Sequence, residues 1–392
     1  MTPQGPAAGV RVVAIEQSVA GPLCSRIMAD LGATVIKIET PIGDFARRWD
    51  GLVGGESSYF AWLGRRKRSV VLDLKQPESR TVLHSLLDEA DVLVFNISTA
   101  AARRLGLTEE AISERWPRLV SCQITGYGNR GRMSERRAYD MLVQAESGLM
   151  DLSGDQGGPA RIGVSISDIG TGIYCSTLIL AALLERAHTG VGRAFSVSMF
   201  QVMTEFAGPN LTAHANARVD HPKGRRRHHA ISPYGVFDCS DGSIVLAIQH
   251  DDEWRRFVHQ VLRDPSLDEP RFAVSASRHQ HRAELEPLVE RLLRALPRSE
   301  WMARLDGSQI AYASVNTIGS VWDHPVSIDL GLQGQAVMPD GSIAAVPASP
   351  AETVFGSPGP PVVPALDADG DEIRSAARAR LDGQASTAES GR

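Results

Sequence analysis

Short β-branched segments alternate with helical patterns through the first 150 residues, and this alternation constrains the fold more than any other feature. The segments that predict strands are 12–16, 33–39, 69–74, 92–96 and 119–125. The helical patterns between them are 22–31, 78–90 and 109–116. Strands that alternate with helices of about ten residues form βαβ crossovers. The sequence therefore predicts an α/β fold whose sheet is mostly parallel.

The later part of the chain predicts different structures. A long apolar pattern at 168–187 indicates a helix that is buried on nearly all sides. Two apolar runs that flank a Ser-Asp-Gly turn predict a hairpin at 234–248. Between these two patterns lies a polar, basic stretch at 221–229, which marks a change of domain.

These patterns divide the chain into two domains. The basic residues from Lys223 to His229 form either an exposed linker or a site for an acceptor carboxylate or the phosphates of a ligand.

Composition excludes several classes of protein. A formal net charge of −5 does not supply the positive field that nucleic-acid binding requires. The N-terminus lacks a basic segment followed by an apolar one, and the most apolar window, 173–184, is too short to span a bilayer. The four cysteines have no zinc-binding spacing. We therefore expect a cytoplasmic protein with reduced thiols and no bound metal, which binds neither nucleic acid nor a membrane.

A glycine motif at 126–131 matches the pattern G-x-G-x-x-G and follows a predicted strand. This pattern is typical of dinucleotide sites when it opens directly into a helix. The next residues, 132–137, are polar and charged apart from Met133. We therefore favour a glycine loop that only turns the chain.

Asp168 lies at the start of the long apolar helical pattern and supports two interpretations. It is either an acid that stabilises the positive end of a helix, or a carboxylate nucleophile held on a rigid element. Gly170 and Gly172 follow it, and glycine in a helix costs about 1 kcal/mol relative to alanine. Such glycines would let a ligand approach the backbone. The residues alone favour the first interpretation, because acids are common in first helical turns.

Many segments, in order along nearly the whole chain, resemble the family III CoA-transferases. This group includes formyl-CoA transferase and the carnitine and bile-acid CoA-transferases. The order of the segments is specific, although no single segment is. The segments are 9–13, 20–22, 31–39, 43–49, 67–75, 90–96, 104–107, 139–148, 163–168, 233–235, 241–242, 271–272 and 314–317.

The resemblance implies a fold and a reaction. The fold would be a large Rossmann-like domain of residues 1–205 that 330–392 completes, a linker at 206–224 and a small α/β domain at 225–325. Two such chains would thread through each other as an interlocked homodimer. Asp168 matches the family's catalytic aspartate, which attacks an acyl-CoA thioester and forms first an aspartyl anhydride and then an aspartyl-CoA thioester. CoA would pass from a donor such as succinyl-CoA to a small mono- or dicarboxylic acid. CoA is then a substrate, and no cofactor is permanently bound.

The resemblance also implies residues that contact CoA. Asn96, Ile97 and Ser98 follow a parallel strand, where ligands bind in open α/β sheets. Arg104 and Arg137 match contacts to the phosphates or pantetheine, and are otherwise ordinary surface charges. The full predicted set is Val19, Ala20, Leu72, Lys75, Asn96, Ile97, Ser98, Arg104, Arg137 and Tyr139.

Tyr139 distinguishes between two activities. The α-methylacyl-CoA racemases share the fold, but they have a histidine, which acts as a base, before the aspartate that Asp140 matches. A tyrosine, with a pKa of about 10, is a poor base near neutral pH, so Tyr139 favours the transferases. A racemase or epimerase is one alternative. A noncatalytic CoA- or dinucleotide-binding protein is the other, and the glycine loop at 126–131 is its only local support.

Overall fold

A computed structural model describes residues 5–154, 157–218, 226–356 and 359–390. The chain forms two compact units. The large unit consists of the described residues of Met1–Ser147, Ile162–Ala207 and Trp322–Arg392, and the small unit of those of Gly148–Arg161 and Gly208–Val321. Both ends of the chain therefore contribute to the large unit.

Eleven strands are found in the described residues. They are β1 (Arg11–Ile15), β2 (Thr34–Glu39), β3 (Lys67–Val71), β4 (Val92–Phe95), β5 (Val120–Thr125), β6 (Ala194–Ser198), β7 (Tyr234–Cys239), β8 (Gly242–Ala247), β9 (Ala311–Ser314), β10 (Gln333–Val337) and β11 (Ile343–Pro347).

The α-helices of the described residues are given in chain order. They are α1 (Ala20–Asp30), α2 (Ser58–Leu63), α3 (Pro77–Leu87), α4 (Thr99–Arg104), α5 (Glu109–Arg115), α6 (Asp140–Glu146), α7 (Leu149–Leu152), α8 (Ile166–Thr189), α9 (Met199–Phe206), α10 (Gly208–Ala217), α11 (Asp251–Arg256), α12 (Ser275–Gln280), α13 (Arg282–Leu293), α14 (Arg298–Leu305), α15 (Pro325–Asp329), α16 (Pro350–Phe355) and α17 (Gly370–Ser390). Short 3₁₀ turns lie at Phe45–Arg48, Pro265–Leu267, Pro270–Phe272 and Ile318–Ser320, and a π-helical turn at Phe257–Leu262.

The six-stranded sheet of the large unit confirms the predicted α/β fold. Its order is β3-β2-β1-β4-β5-β6, and every pair of neighbours is parallel. Val94 and Cys122 in its central strands are fully buried, as expected where helices cover both faces of a parallel sheet. The chain reverses its direction of winding between β1 and β4. In open α/β sheets, ligands bind at the carboxyl ends of the strands at such a point.

In the six-stranded sheet the predicted strands match β1 to β5 closely, but β6 was not predicted, and neither were β9, β10 and β11 elsewhere in the chain. For β6, the sequence indicated only a continuous apolar run at 195–203. In the structure this run divides at Ser198, which ends β6 and whose side chain accepts a hydrogen bond from the Gln201 N–H at the start of α9. A strand that joins a helix without an intervening loop has no turn residues to mark its end.

Helix α8 is less buried than its composition predicted. One side packs against α1 and α9. The other side is exposed, with Ile173 50% and Leu184 64% accessible in the single chain. The helix is long and apolar enough to cross a membrane by length and composition alone. In the structure 44% of its most apolar window is buried, and core helices of soluble proteins also reach this length and apolar composition.

The two glycines of α8 have a packing role rather than the ligand-approach role that the sequence suggested. A Cβ on Gly172 would lie 2.9 Å from the Ala20 carbonyl oxygen of α1. A Cβ on Gly170 would lie 2.7 Å from the ring of Phe206, in α9. Both glycines therefore allow neighbouring helices to approach α8 closely.

The small unit contains the antiparallel sheet β7-β8-β9, and the predicted hairpin is its β7–β8 pair. Helix α10 occupies much of the predicted linker 206–224, and residues 219–224 of this linker lie outside the described residues. Lys223 and Arg225 of the basic stretch also lie outside them. Arg226 forms an ion pair with Asp238, and Arg227 with Glu290 at 2.7 Å, so the acidic residues of the small unit neutralise this part of the stretch.

Candidate active site

A cavity of about 460 Å³ lies in the large unit at the carboxyl ends of the central strands. The residues that follow β1 and β4 form two of its walls, and the start of α8 contributes a third. It is therefore at the position that the strand order predicts for a ligand. Its lining includes Gln17, Ser18, Ala20, Phe45, Asn96, Ile97, Ser98, Thr99, Ile124, Gly126, Arg136, Arg137, Ala138, Tyr139, Asp168 and Met199.

Asp168 is the acid of the first turn of α8 and lines this cavity. Burial, and then the nearby negative charge of Asp140, raise its pKa to about 7. The backbone N–H of Ala20 favours the ionised form of the carboxyl group, lowers its pKa and so opposes part of this rise. Near neutral pH the carboxyl group therefore exchanges readily between its ionised and protonated forms.

Asp140 holds the start of α8 in place. Its Oδ1 accepts the Ser167 N–H at 2.8 Å, and its Oδ2 accepts the side-chain amide of Gln144 at 2.7 Å. Gln144 in turn accepts the Ile162 N–H at 2.9 Å. The capping residue Ser165 has no side-chain bond to the helix, so Asp140 provides from another helix the acceptor that this terminus lacks.

Tyr139 and the two arginines before Ala138 lie along another wall of the cavity. Tyr139 is 58% exposed, at the position before α6. Arg137 is exposed and forms no ion pair among the described residues, whereas Arg136 is paired with Glu146 at 2.6 Å. Arg137 is therefore the cation of this wall that is available to an anionic ligand.

The side chains of Asn96 and Ser98 bind the protein itself. Asn96 exchanges two hydrogen bonds with the backbone of Gln17, at 2.9 and 2.8 Å. Ser98 accepts the Ala101 N–H at 3.2 Å and so caps α4. These residues line the cavity, but their side-chain hydrogen bonds go to the loop after β1 and to α4.

Seven of the predicted site residues lie at the cavity and four do not. Those at the cavity are Ala20, Asn96, Ile97, Ser98, Arg137, Tyr139 and Asp168. Val19 and Leu72 are buried in apolar clusters. Lys75 is exposed outside the cavity. Arg104 lines a different cavity, together with Arg80 and Arg115.

Sequence reasoning missed the roles of Gln17, Ser18, Phe45 and Met199, which also line the cavity, and of Asp140, which supports Asp168. Gln17 and Ser18 follow the first predicted strand, so the rule that placed Asn96 at a strand end applies to them equally. Phe45 and Met199 carry no such signal, because only the tertiary fold brings them to the cavity.

The glycine motif at 126–131 does not form a dinucleotide site. No helix begins between Gly126 and Tyr139, a stretch that the structure describes in full. Gly126 is instead a packing glycine, because a Cβ there would lie 2.1 Å from the Cβ of Ala138. Gly128 and Gly131 both have positive φ angles and turn the chain, as the favoured interpretation predicted.

The model of CoA-transferase family III matches residues 8–369. The chain belongs to CoA-transferase family III. It is an enzyme of this family, and its substrates are CoA thioesters and carboxylic acids. The resemblance drawn from the sequence segments is therefore confirmed. Among the described residues of this family III CoA-transferase, the lining of the cavity contains no histidine. The base that the racemases use therefore has no counterpart in this lining.

Two of the curated relatives have names that state their substrates. The chain is 30% identical to the succinate–glutarate CoA-transferase of Agrobacterium fabrum, over 86% of this chain and 87% of that protein. It is 32% identical to the acetyl-CoA:oxalate CoA-transferase of Acetobacter aceti, over 76% of this chain and 78% of that protein.

Solved structures share the fold of this family III enzyme along nearly its whole length. A CaiB/BaiF family protein from Brucella suis has a TM-score of 0.79 at 28% identity, over 95% of this chain and 100% of that one. The protein Rv3272 from Mycobacterium tuberculosis has a TM-score of 0.83 at 27% identity, over 95% and 99%.

Proposed function

We propose that the enzyme transfers CoA from succinyl-CoA to a small dicarboxylic acid, with Asp168 as the nucleophile. The observation that carries this proposal is the position of the Asp168 carboxyl group in the cavity, at a helix start and with a pKa of about 7. A carboxylate of raised pKa is more nucleophilic than an ordinary one and is still partly ionised at neutral pH.

The first half-reaction moves CoA onto the protein. An Asp168 carboxylate oxygen attacks the thioester carbonyl of the donor, the C–S bond breaks and CoA thiolate leaves with the electron pair. The thiolate then attacks the aspartyl carbonyl of the resulting anhydride. The bond between the aspartyl carbonyl carbon and the bridging oxygen breaks, so the donor acid leaves as a carboxylate with the electron pair and an aspartyl-CoA thioester remains.

The second half-reaction repeats these steps in reverse order. The acceptor carboxylate attacks the carbonyl of the aspartyl thioester. The C–S bond breaks, CoA thiolate leaves, and the acceptor and Asp168 are joined as a new mixed anhydride. The thiolate attacks the acceptor acyl carbonyl of that anhydride, and the Asp168 carboxylate leaves. One thioester replaces another, so the exchange is close to isoenergetic and needs no external energy source.

The substrate class rests on the relatives and on the charges at the cavity. The Agrobacterium relative is named for succinate and glutarate, which are both dicarboxylic acids. Arg137, which has no ion-pair partner among the described residues, could bind the second carboxylate of such an acid. Oxalate is the competing acceptor, since the Acetobacter relative is named for it.

Intact-protein mass spectrometry tests the covalent mechanism. The protein is incubated with succinyl-CoA, quenched rapidly and measured with and without hydroxylamine. We expect a CoA-sized adduct that maps to Asp168, disappears with hydroxylamine and is absent from Asp168→Ala. Asp369→Asn, which changes an aspartate outside the cavity, should retain the adduct. An adduct that persists in Asp168→Ala, or none with any acyl-CoA, contradicts the proposal.

We infer further that the enzyme is a cytoplasmic homodimer. The exposed face of α8 supports the dimer, because it presents an apolar stripe that a soluble monomer would leave in water. The stripe consists of Ile173, Tyr174, Leu178, Leu180 and Leu184. A second copy of this chain is the partner that the family resemblance implies.

A further inference from the structure

The loop between β1 and α1 is held in an unusual conformation at the edge of the cavity. It consists of residues 16–19, and Gln17 and Ser18 line the cavity together with Ala20, the first residue of α1. Ser18 has a φ of 68°, in the left-handed region that non-glycine residues rarely adopt. Such a residue persists only where its surroundings fix it.

Asn96 fixes Gln17 from the neighbouring strand β4. Its Oδ1 accepts the Gln17 N–H at 2.9 Å, and its Nδ2 donates to the Gln17 carbonyl oxygen at 2.8 Å. Both backbone groups of Gln17 are therefore bound by one side chain. Gly21 makes room for this contact, because a Cβ there would lie 3.3 Å from the Asn96 Cγ.

Asp44 fixes the next residue from the other side. Its Oδ1 accepts the Ser18 N–H at 3.2 Å and the Ala46 N–H at 2.9 Å. Its Oδ2 forms a buried ion pair with Lys37 at 2.9 Å. Lys37 also donates to the Glu16 carbonyl oxygen at 3.1 Å, so one ion pair binds both ends of the Glu16–Ser18 segment.

The end of this loop reaches the nucleophile. Ala20, two residues beyond Ser18, lines the cavity together with Asp168, and its backbone N–H lowers the pKa of that carboxyl group. We propose that Asn96 and Asp44 are positioning residues, which hold the loop so that the Ala20 N–H meets the ionised Asp168. This role rests on the proposed function of Asp168. It differs from the predicted role of Asn96 as a direct contact to CoA.

The two roles of Asn96 predict opposite kinetic effects. A residue that positions the nucleophile affects the chemical step, whereas a contact to CoA affects binding. If Asn96 positions the loop, Asn96→Ala should lower kcat by about 100-fold and change KM for succinyl-CoA by less than about threefold. The acid limb of kcat should also move to higher pH, because the Ala20 N–H, which lowers the pKa of Asp168, would no longer be held in place.

Hydrogen exchange gives a second readout that does not depend on activity. In both Asn96→Ala and Asp44→Asn, the peptide that contains Gln17 and Ser18 should exchange faster than in the unmodified protein. Asn96→Ala removes the acceptor of the Gln17 N–H, and Asp44→Asn removes the ion pair with Lys37 that supports the acceptor of the Ser18 N–H. Asp369→Asn is the matched control. Like Asp44, Asp369 accepts a backbone N–H, that of Ser69, and pairs with a basic side chain, that of Arg68, each at 2.9 Å. Asp369 lies away from the cavity.

The outcomes separate this inference from the proposed function. A higher KM with unchanged kcat in Asn96→Ala, or unchanged exchange of the loop in both variants, would overturn the positioning role. If Asn96→Ala does not fold, Asn96→Asp tests the same point, since it keeps the acceptor for Gln17 and loses the donor. If the unmodified protein forms no adduct on Asp168, the proposed function fails first, whereas the exchange data still show whether Asn96 and Asp44 hold the loop.

Discussion

Asp168 and Asp140 place two carboxyl groups close together at one end of α8, and the second affects the ionisation of the first. Asp140 accepts hydrogen bonds from Ser167 and Gln144 on its two oxygens. Burial, and then the nearby negative charge of Asp140, raise the pKa of Asp168 to about 7. Asp140 therefore contributes both to the structure at the start of α8 and to the ionisation of Asp168.

The raised pKa of Asp168 predicts the pH dependence of the reaction. In the proposed mechanism only the ionised carboxylate attacks the thioester, so kcat should fall as the pH falls through about 7. Asp140→Asn removes a negative charge near Asp168 and should lower its pKa, which moves this acid limb to lower pH. The pH profile of kcat with saturating succinyl-CoA measures both effects. A limb that stays in place in Asp140→Asn would show that burial alone sets the pKa.

The same shift predicts an effect on stability. The pKa of Asp168 is about 7 when folded, above its ordinary value of 3.8, so folding disfavours the charged form. Stability is therefore lost as the pH rises from about 4 to about 7. Asp168→Asn should raise Tm by about 2–4 °C at pH 8 and have a smaller effect at pH 5. Thermal unfolding of both proteins at both pH values checks the sign, and an equal gain at the two pH values contradicts it.

At the scale of elements, the close packing of α1 against α8 brings Ala20 to Asp168. Gly172 makes this packing possible, since any Cβ there would lie 2.9 Å from the Ala20 carbonyl oxygen and 3.0 Å from the Leu23 Cβ. Small residues at helix contacts determine how closely two backbones approach. The distance between these two helices therefore contributes to the geometry of the active site.

Gly172→Ala should separate α1 from α8 and reduce both stability and activity. Overpacking of this kind costs about 1–3 kcal/mol, and the Ala20 N–H would move away from Asp168. Thermal unfolding and kcat measure the two effects. Gly383→Ala is the control, because it adds a methyl group to a helix where nothing lies within 4 Å. Equal Tm and kcat values for the two variants would mean that the contact has no influence.

At the scale of the whole molecule, the exposed apolar stripe on α8 predicts a dimer. Leu180→Glu combined with Leu184→Glu should convert the dimer to a monomer, because a charged residue in an apolar interface is left without a partner. Light scattering coupled to size exclusion measures the mass. Val354→Glu is the control, since Val354 is 72% exposed and lies outside the stripe. A monomeric unmodified protein would contradict the proposal.

Local sequence patterns were enough for five of the six strands in the sheet of the large unit and for the helix α8. The strands β1 to β5 follow from β-branched runs with helical patterns between them, and the helix that carries Asp168 follows from its apolar composition. Both patterns depend on residues that are close in sequence. The missed strand β6 and the exposed face of α8 show where this stops, because each depends on the packing of other elements.

The sequence by itself therefore determined a parallel α/β fold and the family, since these depend on local periodicity and on the order of segments. Only the tertiary structure decided the pKa of Asp168, the role of Asn96 in binding Gln17 and the absence of Leu72 and Lys75 from the cavity. Gln17 and Asn96 are 79 residues apart in sequence. The physical reason is that hydrogen bonds, burial and charge interactions depend on distance in space, and residues far apart in sequence meet only when the chain is folded.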